Sequence, residues 1–353
     1  MATRLVGLDI GHTGIRGAEV ESHGDTSIVT RYAEVPLPDG AIVNGEVVTA
    51  DTVSAALTQL WALGKFRTRQ VALGVGGQRL IIRQHTIARV PRNVLQKTLR
   101  FQISDILPVD AGTAILDFYP VQDVVQDTTP MVKGLLVAAT EDTVMGYVKA
   151  INAAKLHVAS VDLSCFAALR AIEPLDRRSS ETIAYIDLGG STTTIVVAVR
   201  GVPVYGRIIG AGGEDITAKL AQQFDLPIDQ ARDLKQQTAY RPLSPTAAFA
   251  PAGQERPEDV LAAAYDTLLN SIEDTLSYYS NAEEQYPITS LRLYGRTSRQ
   301  TGLLDAIQVR TGYPVYTTDV LTTVTTRDVD TELKVRESLD VAPIAIGLGM
   351  RTD

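Results

Sequence analysis

The sequence predicts an α/β protein of two related domains, with a smaller α/β subdomain inserted into the first. Three observations carry the prediction. The stretch Leu5-Val-Gly-Leu-Asp-Ile-Gly11 runs an apolar strand into Asp9 and a turn holding Gly11 and Gly14, and the chain leaves through Ile15, Ala18 and Val20 as a second strand. Residues 183–197 repeat the pattern, so that Asp187 answers Asp9 and Gly189 answers Gly11. Finally, 353 residues exceed one ordinary core and fit two domains of typical size.

In chain order, residues 5–10 and 14–20 form the opening hairpin and 27–35 a third strand. Pro36, Pro38, Asp39 and Gly40 make a loop, and Gly45 a turn before Val47 and Val48. Val53, Ala56, Leu57, Leu60 and Trp61 recur at helical spacing, with Asp51 as N-cap and Gly64 as the stop. Strand 70–75 closes this unit. After Gly76-Gly77, strands 80–90, 114–125 and 132–139 and helices 93–103 and 143–154 read as the insertion. Strand 156–161 returns to the first sheet, helix 163–172 follows, and the charged break Asp176–Glu181 separates the halves.

The second half begins with its own hairpin and a strand over 202–209. The glycine-rich turn 210–215 then opens a helix over 216–224, followed by a short helix over 228–236. The proline-rich stretch 236–259 reads as a mobile loop. A long helix over 257–282, a strand over 289–293 and a helix over 300–311 follow, and the apolar stretch 341–349 is expected to pack back on the first domain. The expected division is 1–77 and 156–180 for the first subdomain, 78–155 for the insertion, 181–213 and 289–340 for the second domain with its subdomain 214–288, and 341–353 for the returning segment.

Composition narrows the function. Hydrophobic residues at 45% and charged residues at 21% are those of a globular chain. A net charge of −8 argues against nucleic-acid binding, which needs a basic face to neutralise phosphates. Cys165 is the single cysteine, so intrachain disulfides and multi-cysteine metal sites are excluded, as expected of a reducing cytosol. No apolar run is long enough for a transmembrane helix, so no direct membrane insertion is expected.

The turns point to phosphate chemistry. Glycines let backbone N–H groups approach an anion closely, and a carboxylate at the strand end can order the waters of Mg²⁺. Two such hairpins facing one cleft would clamp a nucleoside triphosphate, with Asp9 and Asp187 flanking the metal through water. Gly212 and Gly213 open a helix, where unpaired N–H groups favour anions. No Walker-type Gly-x-x-x-x-Gly-Lys-Ser/Thr run is present.

These segments, in this order, resemble the actin-like ATPase superfamily, of ribonuclease H-like fold. Within it the chain is similar to the type IV pilus assembly PilM family, related to the division protein FtsA. The resemblance rests on Val6–Gly11, Leu37-Pro-Asp-Gly-Ala-Ile-Val-Asn-Gly45, Ser104–Pro108 with Leu116–Tyr119, Val161–Leu169, Tyr185–Gly190, Gly212–Thr217 and Ala345–Gly349. It implies an actin-like two-domain fold with ATP and Mg²⁺ as cofactors. Asp9, Gly11, His12, Thr13 and Gly14 would hold the phosphates from one side, and Asp187, Gly189, Gly190, Ser191, Thr192 and Thr193 from the other. Gly212, Gly213 and Glu214 would border the ribose and phosphates, Arg232 and Lys235 the adenine, and Gly295, Arg296 and Thr297 its opposite wall. His12, Arg232 and Arg296 depart from the residues common in relatives.

The same resemblance implies a cytoplasmic scaffold, peripheral to the membrane. It would bind the cytoplasmic tail of a PilN-like inner-membrane protein in the groove between the first subdomain and the insertion, with ATP setting the groove's shape. Two other readings stand beside it: a small-molecule kinase of the superfamily, and a filament-forming FtsA-like protein, against which the absence of a terminal amphipathic helix after Met350 counts. Self-association and ATP hydrolysis stay open. Asp162 is the candidate for positioning an attacking water, and reads equally as the N-cap of the helix that follows. His12 reads also as an exposed turn residue, Arg232 and Lys235 as a solvated face, and Cys165 as a small core residue.

Overall fold

The computed structural model describes residues 3–23, 26–103, 114–172, 181–243, 255–282 and 286–351. Strands β1 (Thr3–Ile10) and β2 (Gly14–His23) make the opening hairpin, and β3 (Thr26–Pro36) pairs antiparallel with β2. A two-residue turn at Asn44 and Gly45, both at positive φ, joins β4 (Ile42–Val43) to β5 (Glu46–Val47). Helix α1 (Ala50–Gly64) crosses to β6 (Gln70–Val75), parallel to β1. Strand β7 (Ile81–Ala88), helix α2 (Arg92–Gln102) and strands β8 (Ala114–Gln126) and β9 (Thr129–Thr140) build a separate antiparallel sheet in the order β7-β9-β8. Helix α3 (Glu141–Ala153) leads to β10 (His157–Leu163), parallel to β6, and α4 (Ser164–Ile172) completes the first half.

The second half repeats the plan. Strands β11 (Thr182–Leu188), β12 (Thr193–Val199) and β13 (Val202–Ile209) form an antiparallel meander. Helices α5 (Gly213–Phe224), α6 (Ile228–Gln237) and α7 (Pro257–Asn281) cross to β14 (Ser290–Tyr294), parallel to β11; α8 (Leu303–Thr311) leads to β15 (Val315–Thr317), parallel to β14. Strand β16 (Thr325–Thr326) then joins the first sheet beside β3, and α9 (Val329–Glu337) and α10 (Ala342–Gly349) finish the fold. The first sheet runs β10-β6-β1-β2-β3-β16 and the second β15-β14-β11-β12-β13, so each hairpin holds the same place in its sheet.

Several sequence expectations meet corrections here. Helix α1 begins at Ala50 with Thr49 at the N-cap position, which leaves Asp51 inside the first turn, where a carboxylate still favours the helix dipole. The residue that turns left-handed after it is Lys65 (φ 50°). Gly64 is needed for another reason: a Cβ there would lie 2.4 Å from the Phe66 ring. The helix expected over 300–311 begins later, at Leu303, because Gly302 (φ 84°) stands at its N-cap position; a separate 3₁₀ turn over Arg296–Arg299 precedes it. Apart from these corrections, helix α3 packs on α1 and gives Val144, Tyr147 and Ile151 to a core that the first sheet shares with Ile82, Leu135 and Ala139 of the insertion strands. Residues 104–113, 173–180 and 244–254 lie outside the described residues, and with them the Ser104–Pro108 motif, most of the charged break and part of the proline-rich loop.

One large core underlies the first sheet and reaches Ile183, Tyr185, Val196, Ala198 and Tyr294 of the second, whose other residues build a core of their own. Helix α10 packs against β1, β2 and α4, with Ile346 and Leu348 fully buried and Ile344 nearly so. Burying each such side chain stabilises by roughly 1.5–3 kcal/mol. The approach is backbone to backbone: a Cβ on Gly7 would sit 1.9 Å from the Ala345 carbonyl, and one on Gly347 1.7 Å from that of Ala167.

Candidate functional site

Strands carry the two turns to one cleft. In the first hairpin Gly11 N–H donates to Gly14 O at 2.9 Å, and in the second Gly189 N–H donates to Thr192 O at 3.0 Å, so the two turns are closed identically. They face each other: a Cβ on Gly190 would meet that of His12 at 3.4 Å. The cavity between them is lined by Asp9, Gly11, His12 and Thr13 from one side and by Asp187, Gly189, Gly190, Ser191 and Thr192 from the other. Gly295 and Arg296 also line it. The N–H groups of His12, Thr13, Gly190, Ser191 and Thr192 find no acceptor among the described residues.

Two carboxylates share this low-dielectric space. Burial, and then the charge of Asp9, push Asp187 up to about 7. Burial also raises Asp9, a shift that the neighbouring Arg16 guanidinium only partly offsets. Among the described residues no group of three or more His, Cys, Asp or Glu could hold a metal ion. Asp9 and Asp187, two hard oxygen donors on one cavity, fit a cation that keeps waters and takes its remaining ligands from phosphate, as Mg²⁺ does. The Nδ1 atom of His12, a residue that lines the cavity, is buried without a hydrogen-bond partner among the described residues.

Arg16 escaped the sequence reading. It lies opposite Asp9 in the β1–β2 register and opposite Glu34 in β2–β3. Its Nη1 reaches Asp9 Oδ2 at 3.4 Å, and its Nε and Nη2 donate to Glu34 Oε1 at 3.0 and 2.9 Å. The hairpin turn alone implies that pairing, so the signal was present. Arg296 donates to the same Glu34 oxygen and pairs with Asp340 at 3.5 Å, which binds this sequence-expected residue into a network across the two halves. Burial would raise Glu34, yet the two arginines hold it below the usual carboxylate range.

The remaining expected residues lie around the cleft rather than along it. Thr193 is fully buried and donates to Ala211 O at 2.9 Å; Thr297 donates to Gly189 O at 2.9 Å. The start of α5 is not a free anion site. Gly213 N–H and Glu214 N–H donate to the carbonyls of Gly189 and Gly190 at 2.9 and 2.8 Å, and Gly212 N–H donates to Asp215 Oδ2 at 2.7 Å. Gly212 permits this closeness, since a Cβ there would lie 2.4 Å from Gly190 O. The first two of these donors brace the hairpin and the third closes the helix's own cap, so all three are consumed.

Arg232 and Lys235 do not form a solvated face. Lys235 is buried and donates to Gly213 O at 2.7 Å and Thr217 Oγ1 at 2.6 Å. Arg232 pairs with Glu214 at 2.7 Å and with Asp39 of the first half at 3.0 Å. Asp162 lies outside the cavity lining: Arg170 holds its carboxylate at 2.7 Å, and Oδ1 accepts from Leu163 N–H at 2.8 Å. That is the adjacent residue, so Asp162 stands one position before the N-cap of α4 and satisfies no N–H inside the helix. Cys165 is 6% exposed, and burial pushes its thiol up to about 12, consistent with a core residue.

Twin sheets of one strand order, with their hairpins facing a shared cleft, define an actin-like fold. The sequence model for "Type IV pilus assembly protein PilM" matches residues 7–353, and the chain belongs to that family. The fold is similar to a chain of the PilM-PilN type IV pilus biogenesis complex, with a TM-score of 0.84 and 20% identity over 99% of both chains. It is also similar to MreB5 of Spiroplasma citri, with a TM-score of 0.50 and 11% identity over 98% of this chain and 94% of that one. The cell division protein FtsA of Bacillus subtilis (strain 168) is 23% identical over 256 residues, 67% of this chain, and the match spans 58% of FtsA.

Proposed function

We propose that the chain is an ATP-binding scaffold of type IV pilus assembly, holding Mg²⁺·ATP between its two hairpins and an inner-membrane partner's cytoplasmic tail on its first domain. The observation that carries the nucleotide reading is the pair of facing turns, with unpaired N–H groups and two carboxylates, Asp9 buried and Asp187 partly buried, on one cavity. Preorganised backbone donors suit phosphate oxygens, and Asp9 and Asp187 would orient the waters of the cation. The fold relative MreB5 is bound to ADP, which supports a nucleotide as the ligand here. The test is a nucleotide titration of wild type against Asp9→Ala and Asp187→Ala, with and without Mg²⁺. Loss of affinity in both variants is expected, and retention in both would remove the reading.

The partner reading rests on family membership and on the PilM-PilN complex that the fold resembles. The tail would lie in the groove between the first subdomain and the insertion, where Tyr119 of β8 meets Phe166 of α4, ring centroids 5.6 Å apart. Among the described residues no helix is long and apolar enough to cross a membrane, which agrees with attachment through a partner. Pull-down with a tail peptide should weaken on Tyr119→Ala, and unchanged capture would count against the groove. The pairing of Asp162 with Arg170, and its place away from the cavity lining, favour the scaffold reading over the kinase one.

A further inference from the structure

A second surface lies where the cleft reading has no use for it. Strands β6 and β10 deliver Val75 and Leu163 to the cleft; their opposite ends, about 20 Å away at the usual rise per residue, are where α1 and α3 arrive. There Lys65 and Lys155 end the two helices in left-handed conformations, and Arg67 and Arg69 follow in the loop to β6. The two loops are knit together: His157 N–H donates to Arg69 O at 2.9 Å, and Arg69 Nη1 to Lys155 O at 3.0 Å.

All four cations are exposed, and none has a carboxylate within ion-pairing distance among the described residues. Arg4, at the same end of the sheet, is by contrast neutralised by Glu21. The acids of the two helices sit at their far ends, Asp51 in the first turn of α1 and Glu141 and Asp142 in that of α3. A helix C-terminus attracts one cation, which accounts for Lys65 and Lys155, and Arg69 braces the end of α3 through the Lys155 carbonyl; no contact among the described residues accounts for the Arg67 guanidinium. Leu63, 55% exposed, stands beside them.

We propose that this basic end of the first sheet is a docking surface for an anionic lipid membrane. Long flexible side chains on two loops, with an exposed leucine among them, suit a fluid plane of phosphates; a folded acidic protein would have to present carboxylates in fixed register. The net charge of −8 opposes adsorption by the protein as a whole, so attraction must come from this patch. Each such cation near an anionic bilayer contributes on the order of fivefold, so four give weak binding that adds to a partner's tail through effective concentration. The surface is independent of nucleotide binding.

The experiment is co-sedimentation of the full chain with vesicles of phosphatidylcholine, with and without phosphatidylglycerol, at low and high salt. Expected are binding to the anionic vesicles, loss of it at high salt, and a more than tenfold drop for Lys65→Gln/Arg67→Gln with unchanged melting temperature and nucleotide affinity. A second pair, Arg67→Gln/Lys155→Gln, should behave alike. Absence of sedimentation, binding undiminished in both pairs, or tighter binding to polyglutamate than to vesicles of equal charge would each overturn the proposal, the last in favour of an acidic protein.

Discussion

Asp187 carries a proton cost that nucleotide studies can exploit. In the folded chain it keeps its proton up to about 7, whereas the unfolded chain releases it near the ordinary aspartate value of 3.8. Between those limits the native state binds the extra proton, so this contribution is full at the acid end and is lost as pH rises to neutrality. Asp187→Asn should remove that slope. Urea midpoints compared across this range should fall for wild type relative to the variant, and parallel curves would show that the carboxyl is not buried as described. Gly295 is as demanding. At φ 88° it presents its α-carbon to Asp187, and a Cβ would lie 2.3 Å from Oδ1 and 2.5 Å from Leu188 O. Gly295→Ala is expected to cost about 1–3 kcal/mol from its backbone conformation alone, read as a lowered denaturation midpoint, and to weaken nucleotide binding by displacing the carboxylate.

At the scale of elements, both hairpins were legible in the sequence because each packs a buried strand, an acid and a glycine turn into a dozen residues. The insertion's strands and helices were legible from periodicity, as was the return of residues 341–349. What escaped was short or tertiary. Strands β15 and β16, of three and two residues, are too brief to show alternation, and α9 exposes Val329 and Leu333, which blurs its apolar face. The start of α5 looked like an anion site because its glycines were visible while the carbonyls that consume its N–H groups, on Gly189 and Gly190, were not. Helix α10 depends on glycine at both contacts. Gly347→Ala should cost about 3 kcal/mol by forcing its backbone off α4, and a thermal melt would register it.

Across the whole molecule, the halves are tied by charges near the cleft. Glu34 of the first sheet accepts from Arg16, from Ser338 at 3.0 Å and from Arg296 of the second half. Removing its charge leaves the buried Arg16 guanidinium with only the longer contact to Asp9, so Glu34→Gln should destabilise by about 1–3 kcal/mol. The Arg232–Asp39 bridge is more exposed, and Asp39→Asn should cost under about 1 kcal/mol of stability in chemical denaturation. Helix α10 has a consequence in time as well as in space. A ribosome delivers residue 20 long before residue 345, yet β1 and β2 wait for that late helix to cover them. The opening hairpin must therefore spend most of its synthesis with an apolar flank uncovered, and a nascent chain halted before Val341 should be captured by chaperones that a chain released beyond Gly349 escapes.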